Sequence, residues 1–376
     1  MDAAVFSSEQ ARRACGPSSM TLRAAKEADV ICIFNPEHDL CLANGDENYI
    51  PPASAMQFGK DCKDMMKVVY GEGVCCFSTQ ELRQCPSAAR IIIPWGWNAV
   101  LRRQLVRANF PESLLPSLPQ LDSISRLQHR TTAMQCLVWL SRQTGSSYPV
   151  YSIDGKHRET SSVLDDLLDK HGRLLLKAPW SGSGRGLRWL NGKVGGKDGE
   201  WILRVARQQG GVMVEPWLDV LQDFAMEFWV GEEIRFIGYS LFSSKAGVYQ
   251  GNELLSDHAV EQRLNELVPA AQLRHIRLLL THWLLQNVQP LYRGPLGVDM
   301  FVYASDRGPR IRPCSEINFR HTMGLVAHEY YLSHPEEEGR SFSVIHEKIN
   351  SESCEKSSSD GRETNRSESR YRIMTA

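Results

Sequence analysis

The sequence predicts a mixed α/β protein, classed α/β (α+β), in which a small N-terminal parallel α/β domain precedes two α+β lobes. Three observations predict it. Between residues 29 and 109, short β-branched apolar runs alternate with helical segments, the pattern of a parallel sheet with crossover helices. A proline-punctuated link, 111–119, closes that region. From about residue 148 to 333 the strands lengthen and are joined by glycines.

The first strand is read at 29–34, a buried apolar run closed by Asn35-Pro36. A polar loop, 35–39, leads to a helix over 53–69. A second strand follows at 73–77, then a helix from Thr79. The third strand, 90–94, passes through Trp95-Gly96-Trp97-Asn98 into a helix ending near Asn109. Beyond the link, 123–145 reads as one helix stopped at Gly145. Further helices are expected at 161–171, 199–209 and 269–288. Residues 1–28 read as a loose extension, with Met20 an alternative start, and 29–122 as the N-terminal domain. The last segment, 351–376, is rich in Ser, Glu and Arg and is expected to be disordered, because such a stretch buries too little apolar area to offset its ordering entropy.

Composition narrows the function classes. A formal net charge of −1 provides no global field to recruit nucleic acid or an anionic membrane. No run of about eighteen apolar residues exists to cross a bilayer. Ten cysteines are present, but scattered, with only Cys75 and Cys76 adjoining and no C-x-x-C pairing. Reduced thiols in a cytoplasmic protein are expected, rather than a disulfide framework or a zinc site.

Four segments carry chemistry. In 173–186 a buried strand ends in Lys177, followed by a loop of small residues, Ser181, Gly182, Ser183 and Gly184, and then Arg185 and Gly186. Small residues let backbone N–H groups approach phosphate oxygens, and a lysine adds a point charge. In 211–218 an apolar strand ends in Glu215, with Trp217 close behind. In 223–230 alternation puts Asp223, Ala225 and Glu227 on one face and Phe224, Met226 and Phe228 on the other. The fourth segment is a hairpin: Asp299 lies in its first strand, and Glu316, Asn318 and then Arg320 recur at every second residue of its second. Two carboxylates and an amide carbonyl form a hard, oxygen-only set suited to Mg²⁺, with Mn²⁺ the alternative. Arg320 would balance phosphate charge on the same side.

Taken in this order, the segments resemble the ATP-grasp superfamily over roughly 123–332. The resemblance implies an ATP-grasp domain over 123–340. It implies ATP held by Lys177, by the loop 181–186 (Ser181 to Gly186), by Glu215 and Trp217 beside the adenine, and by Asp223 on the ribose. Metal would be held by Asp299, Glu316 and Asn318, with Arg320 and Lys177 in catalytic roles. The implied reaction is ligation: a carboxylate is activated as an acyl phosphate for attack by an amine or, less often, a thiol. A phosphotransferase, or a regulatory module that binds nucleotide without turnover, are the alternatives. Homodimers are common in the family. Two departures stand out. Arg130 occupies the stretch where many members carry a phosphate-binding lysine. Gly297 stands where D-alanine–D-alanine ligases carry an arginine.

Lesser candidates lie at strand ends: Asn35, His38 and Asp39 after the first strand, and 95–98 after the third, where ligands of open α/β sheets collect. Arg235, Lys245, Arg293, His321 and Thr322 fall in the second region and read mainly as surface or pocket-edge residues.

Overall fold

The computed structural model describes residues 30–86, 89–154, 160–182, 186–349 and 368–376. The extension 1–28 lies outside them, as does 350–367.

Strand β1 (Val30–Phe34) is buried at all five positions. Helices α1 (His38–Asn44), α2 (Ala53–Asp61) and α3 (Met65–Tyr70) follow, then β2 (Cys75–Ser78), β3 (Ile91–Pro94) and α4 (Ala99–Arg107). The three strands form a parallel sheet in the order β2-β1-β3. The helix expected over 53–69 is two helices. The turn between them lets Met65 and Met66, adjacent in sequence, both reach full burial. The helix expected from Thr79 is a single turn at Leu82–Gln84, because the Glu81 carboxylate accepts from the Ser78 N–H (2.9 Å) and Oγ–H (2.8 Å) and ties the segment back.

The expected 123–145 helix is also two: α5 (Leu118–Gln128), with a reciprocal Ser117–Gln120 capping box, and α6 (Thr131–Thr144), ended by Gly145 at φ 65°. His129 is extended and packs its Nδ1 against Thr131 Oγ1 at 2.7 Å, while the Arg130 N–H donates to Pro179 O at 3.1 Å.

Strand β4 (Tyr151–Ile153), α7 (Thr160–His171), β5 (Arg173–Lys177), β6 (Leu187–Asn191), α8 (Gly196–Gln209) and β7 (Val212–Pro216) build a lobe around a four-stranded antiparallel sheet, order β4-β7-β5-β6. Its core sets Leu174, Leu176, Val212 and Val214 of the sheet against Leu164, Trp201 and Ile202 of the helices.

Strands β8 (Val220–Val230), β9 (Ile234–Lys245) and β10 (Val248–Glu253) are followed by α9 (Asp257–Asn265), α10 (Ala270–Asn287), β11 (Gly294–Tyr303), β12 (Arg310–Asn318), α11 (Met323–Ser333), β13 (Ser341–Ile349) and β14 (Glu368–Thr375). The strands form a seven-stranded sheet, β12-β11-β8-β9-β10-β13-β14, antiparallel at each pairing. One face of β8, Phe224, Met226 and Phe228, buries against a core shared with Leu273, Leu280 and Leu284 of α10. The other face is left for chemistry.

The expectation of disorder across 351–376 is corrected at its end. Residues 368–375 pair with β13 over eight positions. Tyr371 stacks on His346 (4.3 Å between ring centres) and meets Phe58 (5.2 Å), and its N–H donates to Asp61 Oδ2 at 2.9 Å. Composition averaged over the whole tail hid this short alternation of Tyr371 and Ile373 with arginines, which covers an otherwise unpaired strand edge.

Candidate functional site

The β11–β12 hairpin sets the geometry. Asp299 lies opposite Glu316 across the strand pair, and Gly297 opposite Asn318. On its other side β11 pairs with β8, so that Asp299 faces Ala225 and Gly297 faces Glu227. Period-two alternation therefore brings Asp299, Glu316, Asn318, Glu227 and Arg320 to one cavity of about 230 Å³, with Gly182 on its rim.

Within it the polar groups satisfy one another. Asn318 Nδ2 donates to Asp299 Oδ2 at 3.0 Å, and Arg320 Nη2 donates to Asn318 Oδ1 at 3.0 Å. Arg130 Nη2 reaches Glu316 Oε2 at 2.8 Å. Burial first, then the carboxylates of Glu316 and Glu227, push the Asp299 carboxyl up to about 8, against the Asn318 hydrogen bond and the Arg320 charge. Crowded carboxylates of this kind fit a divalent cation, which would restore the anion on each. Among the described residues no hydrogen bond occupies Glu316 Oε1 or Asp299 Oδ1.

Arg130 ties two regions together: Nη1 donates to Ser181 Oγ at 2.6 Å and to Ala178 O, while Nη2 holds Glu316. Lys177, at the end of β5, lies 2.5 Å from Glu215 Oε1 and donates to Ser315 Oγ at 3.0 Å. Arg312 takes the other oxygen of Glu215 at 2.9 Å and donates to Pro149 O at 3.2 Å. Burial opposes ionisation of Glu215, but Lys177 and then Arg312 override it and hold its carboxyl below the usual range. Lys177 and Glu215, expected at the phosphate and adenine ends of a nucleotide, are thus an ion pair with each other.

The remaining expected residues disperse. Gly182 abuts Asp39, where an added Cβ would come within 2.5 Å of Oδ2. Ala178 N–H donates to Gly186 O at 2.7 Å, closing the base of the loop. Ser183, Gly184 and Arg185 lie outside the described residues. Asp223 accepts from Ser244 Oγ at 2.6 Å, and burial raises its carboxyl. Trp217 stacks under the Arg173 guanidinium, 4.7 Å from its ring centre, at the opposite end of β5 from Lys177.

Arg320 forms a two-point pair with Asp39 at 3.2 and 2.9 Å. Of its expected companions, Asn35 is structural, bonded both ways to Gly96 (2.9 and 3.3 Å). His38 accepts from Asn98 Nδ2 at 3.2 Å, and burial keeps it neutral, its pKa lowered to about 4. Asn98 caps α4 through the Leu101 N–H at 2.9 Å. His321 accepts from the Tyr70 hydroxyl at 2.6 Å and is likewise held near 4 by burial. Thr322 lines the cavity, its hydroxyl 2.8 Å from Glu227. Arg235 and Lys245 are exposed.

Sequence reasoning assigned no role to Glu227 or Arg312. Glu227 had a signal, its place on the polar face of β8. So did Arg312, a guanidinium inside an otherwise buried strand, which demands an anion.

No protein-family model matches the sequence, and no curated protein matches it. Among solved structures the chain is similar to N5-carboxyaminoimidazole synthetase from Staphylococcus aureus complexed with ADP, at 14% identity and a TM-score of 0.44, over 85% of this chain and 82% of that one. It is similar to D-alanyl-alanine synthetase A from Vibrio cholerae at 12% and 0.47, over 82% and 94%. It is also similar to a putative ATP-grasp superfamily protein from Archaeoglobus fulgidus at 14% and 0.41, over 92% and 99%. At these identities and TM-scores the likenesses do not bear on activity, which has to be read from the chain's own side chains. Among the described residues no helix is long and apolar enough to cross a membrane.

Proposed function

We propose that the chain is an ATP- and Mg²⁺-dependent ligase of the ATP-grasp type, which activates a small-molecule carboxylate as an acyl phosphate for attack by an amine. The observation that carries this reading is the convergence of Asp299, Glu316 and Asn318 on one wall of a cavity, with Arg130 and Arg320 bonded directly to them. Asp299, Glu316 and Asn318 would hold Mg²⁺ or Mn²⁺. The cation would supply charge neutralisation at phosphate oxygens.

The chain's own residues do the rest by position and charge. Arg130, fixed between Ser181 and Glu316, takes the place of a lysine as the cation beside the phosphates. Lys177, held by Glu215 and Ser315, adds a second positive charge at the strand end. Gly182 stands on the rim of the cavity against Asp39, where there is no room for a Cβ. Arg320 orients an anionic group at the inner end. Asp223 accepts from ribose hydroxyls. No covalent nucleophile is required: Cys136 and Cys314 are buried, and no cysteine lines the cavity.

The test is ADP release from pooled carboxylates and amines, with mass spectrometry of the ligated product. The D299N/E316Q double variant is expected to lose Mg-dependent turnover while keeping its fold, and full turnover in that variant would overturn the reading. ADP formed without any amine would make the chain a phosphotransferase. Tight ATP binding with no ADP from any mixture would make it a regulatory module.

A further inference from the structure

Arg320 lines the cavity of the metal set, and its donors are already taken. Nε and Nη2 hold Asp39 at 3.2 and 2.9 Å, Nη2 also donates to Asn318 Oδ1 at 3.0 Å, and Nη1 donates to His321 O at 2.9 Å. A carboxylate ligand needs two adjacent donors of the guanidinium for a two-point contact. One of the three partners therefore has to give way. Asn318 and His321 lie two residues and one residue from Arg320 in the chain, so neither can withdraw far. Asp39 lies 281 positions away and is the partner that can leave.

Asp39 reaches this place from another sheet. It sits in the first turn of α1, a helix of seven residues that follows β1 of the parallel sheet. Its carboxylate touches the rim of the cavity as well as the arginine on its wall. A Cβ on Gly182 would stand 2.5 Å from Oδ2 and 3.2 Å from Cγ, so the glycine leaves the room that the acid fills. An anion of the chain itself is thus set between the glycine loop and Arg320, whose Nη2 also bonds to Asn318 of the metal set.

That position decides what an incoming anion meets. Asp39 neutralises the guanidinium at the edge where a second carboxylate would have to bind, and two carboxylates on one fork repel each other while competing for the same N–H groups. Withdrawal of Asp39 frees a two-point seat and a positive charge together. Glu316 and Asp299 also draw on Arg320 and would repel a ligand anion, so the seat is usable when a divalent cation offsets them.

We propose that Asp39 is a resident anion in the seat of the substrate's carboxylate, holding Arg320 until a small carboxylate displaces it, an inference that rests on the ligase reading of the same cavity. Entry of the carboxylate then releases α1 from the arginine, so that substrate binding loosens the parallel sheet from the end of β12. A neutral amide lacks the charge to compete and is excluded.

The probe is sodium acetate against acetamide, its uncharged counterpart, titrated by ligand-observed NMR into the full chain with Mg-ADP. D39N is expected to bind acetate about tenfold or more tighter than wild type, the scale of one charge-assisted hydrogen bond, with acetamide unchanged. Equal or weaker acetate binding by D39N would make Asp39 a residue that only holds Arg320 in place, and overturns the proposal. So does acetate that binds neither protein, or acetamide that tightens as much. A gain for inorganic phosphate without one for acetate would give the seat to a phosphoryl group and also overturns it. In wild type, saturating acetate is expected to speed amide hydrogen exchange across His38–Asn44 severalfold. Unchanged or slower exchange there overturns the proposal even if D39N fails to fold. Binding of Mg-ADP to wild type is read in the same titrations. Its absence would sink the ligase reading, whereas its presence with no gain for acetate in D39N would sink only the role of Asp39.

Discussion

Glu215 is a carboxylate enclosed by two cations that are themselves buried, and the three charges have to be considered together. Lys177 and Arg312 each hold one oxygen, and neither can reach bulk water. Replacing the carboxylate by an amide removes the counter-charge from both at once, so E215Q should cost roughly 3–5 kcal/mol, the usual range for breaking a buried pair from one side. Urea denaturation at pH 7 measures it. The pH dependence follows from the lowered pKa of Glu215. The wild-type advantage is fully present above the ordinary glutamate value of 4.5 and is lost as pH falls through the depressed folded value. The two unfolding curves should therefore converge in acid, and a gap that persists below that range would place the stabilisation elsewhere. The same residues show what a sequence reveals at this scale. Asp299, Glu316, Asn318 and Arg320 were legible because they share two strands of one hairpin, where alternation alone decides the face. The partners of Arg130 and Arg312 were not, because those anions lie 186 and 97 positions away and no local pattern connects them.

Elements are where reading and structure part most visibly, and in each case a side chain cut a regular segment short. The helix expected through His129 breaks because the imidazole bonds Thr131 and the Arg130 N–H is drawn to Pro179. The sequence carries a trace of the break, five consecutive polar residues from Gln128 to Thr132 that interrupt the apolar spacing. Arg130, at the break, bonds to Ser181 and Glu316. Strand β14 is the opposite case, a regular element found where composition promised none. It covers the outer edge of β13 and places Tyr371 over Phe58 of α2, so that it fastens the seven-stranded sheet to the N-terminal helices. A chain ended at residue 367 should leave the β13 edge unpaired and the Phe58 face uncovered. The expected result is a melting temperature lower by several degrees and a concentration-dependent tendency to aggregate, read by calorimetry and light scattering. A truncated chain that melts and scatters like wild type would show that β14 contributes nothing to the sheet.

On the scale of the whole molecule, contacts that join the three sheets are made by the candidate site residues themselves. Arg130 spans from the glycine loop to Glu316, and Lys177 from β5 to Ser315 of β12. The parallel sheet is joined by Asp39 to Arg320, and by the His321 N–H donating to Trp95 O at 2.9 Å. The broad architecture was legible because strand length and connection differ between the first region and the rest, but the joints were not, since each links residues of different sheets. Of these joints the Asp39–Arg320 pair is the one whose strength can be isolated. Both side chains are mostly buried, with 13% and 16% exposure, and the contact is two-pointed, a geometry that resists screening by salt. Arg320 is also drawn toward Glu316 and Asp299, so D39N alone would not leave its charge unbalanced, and single variants would underreport the joint. A double-mutant cycle of D39N and R320Q removes that ambiguity. If the pair fastens the parallel sheet to the site, the coupling should be favourable by about 1–3 kcal/mol in urea unfolding, and little changed by raising the salt. Strictly additive variants would mean that this pair does not fasten the parallel sheet to the site. Arg320 would then be free to turn wholly to an anionic ligand without any cost to the fold.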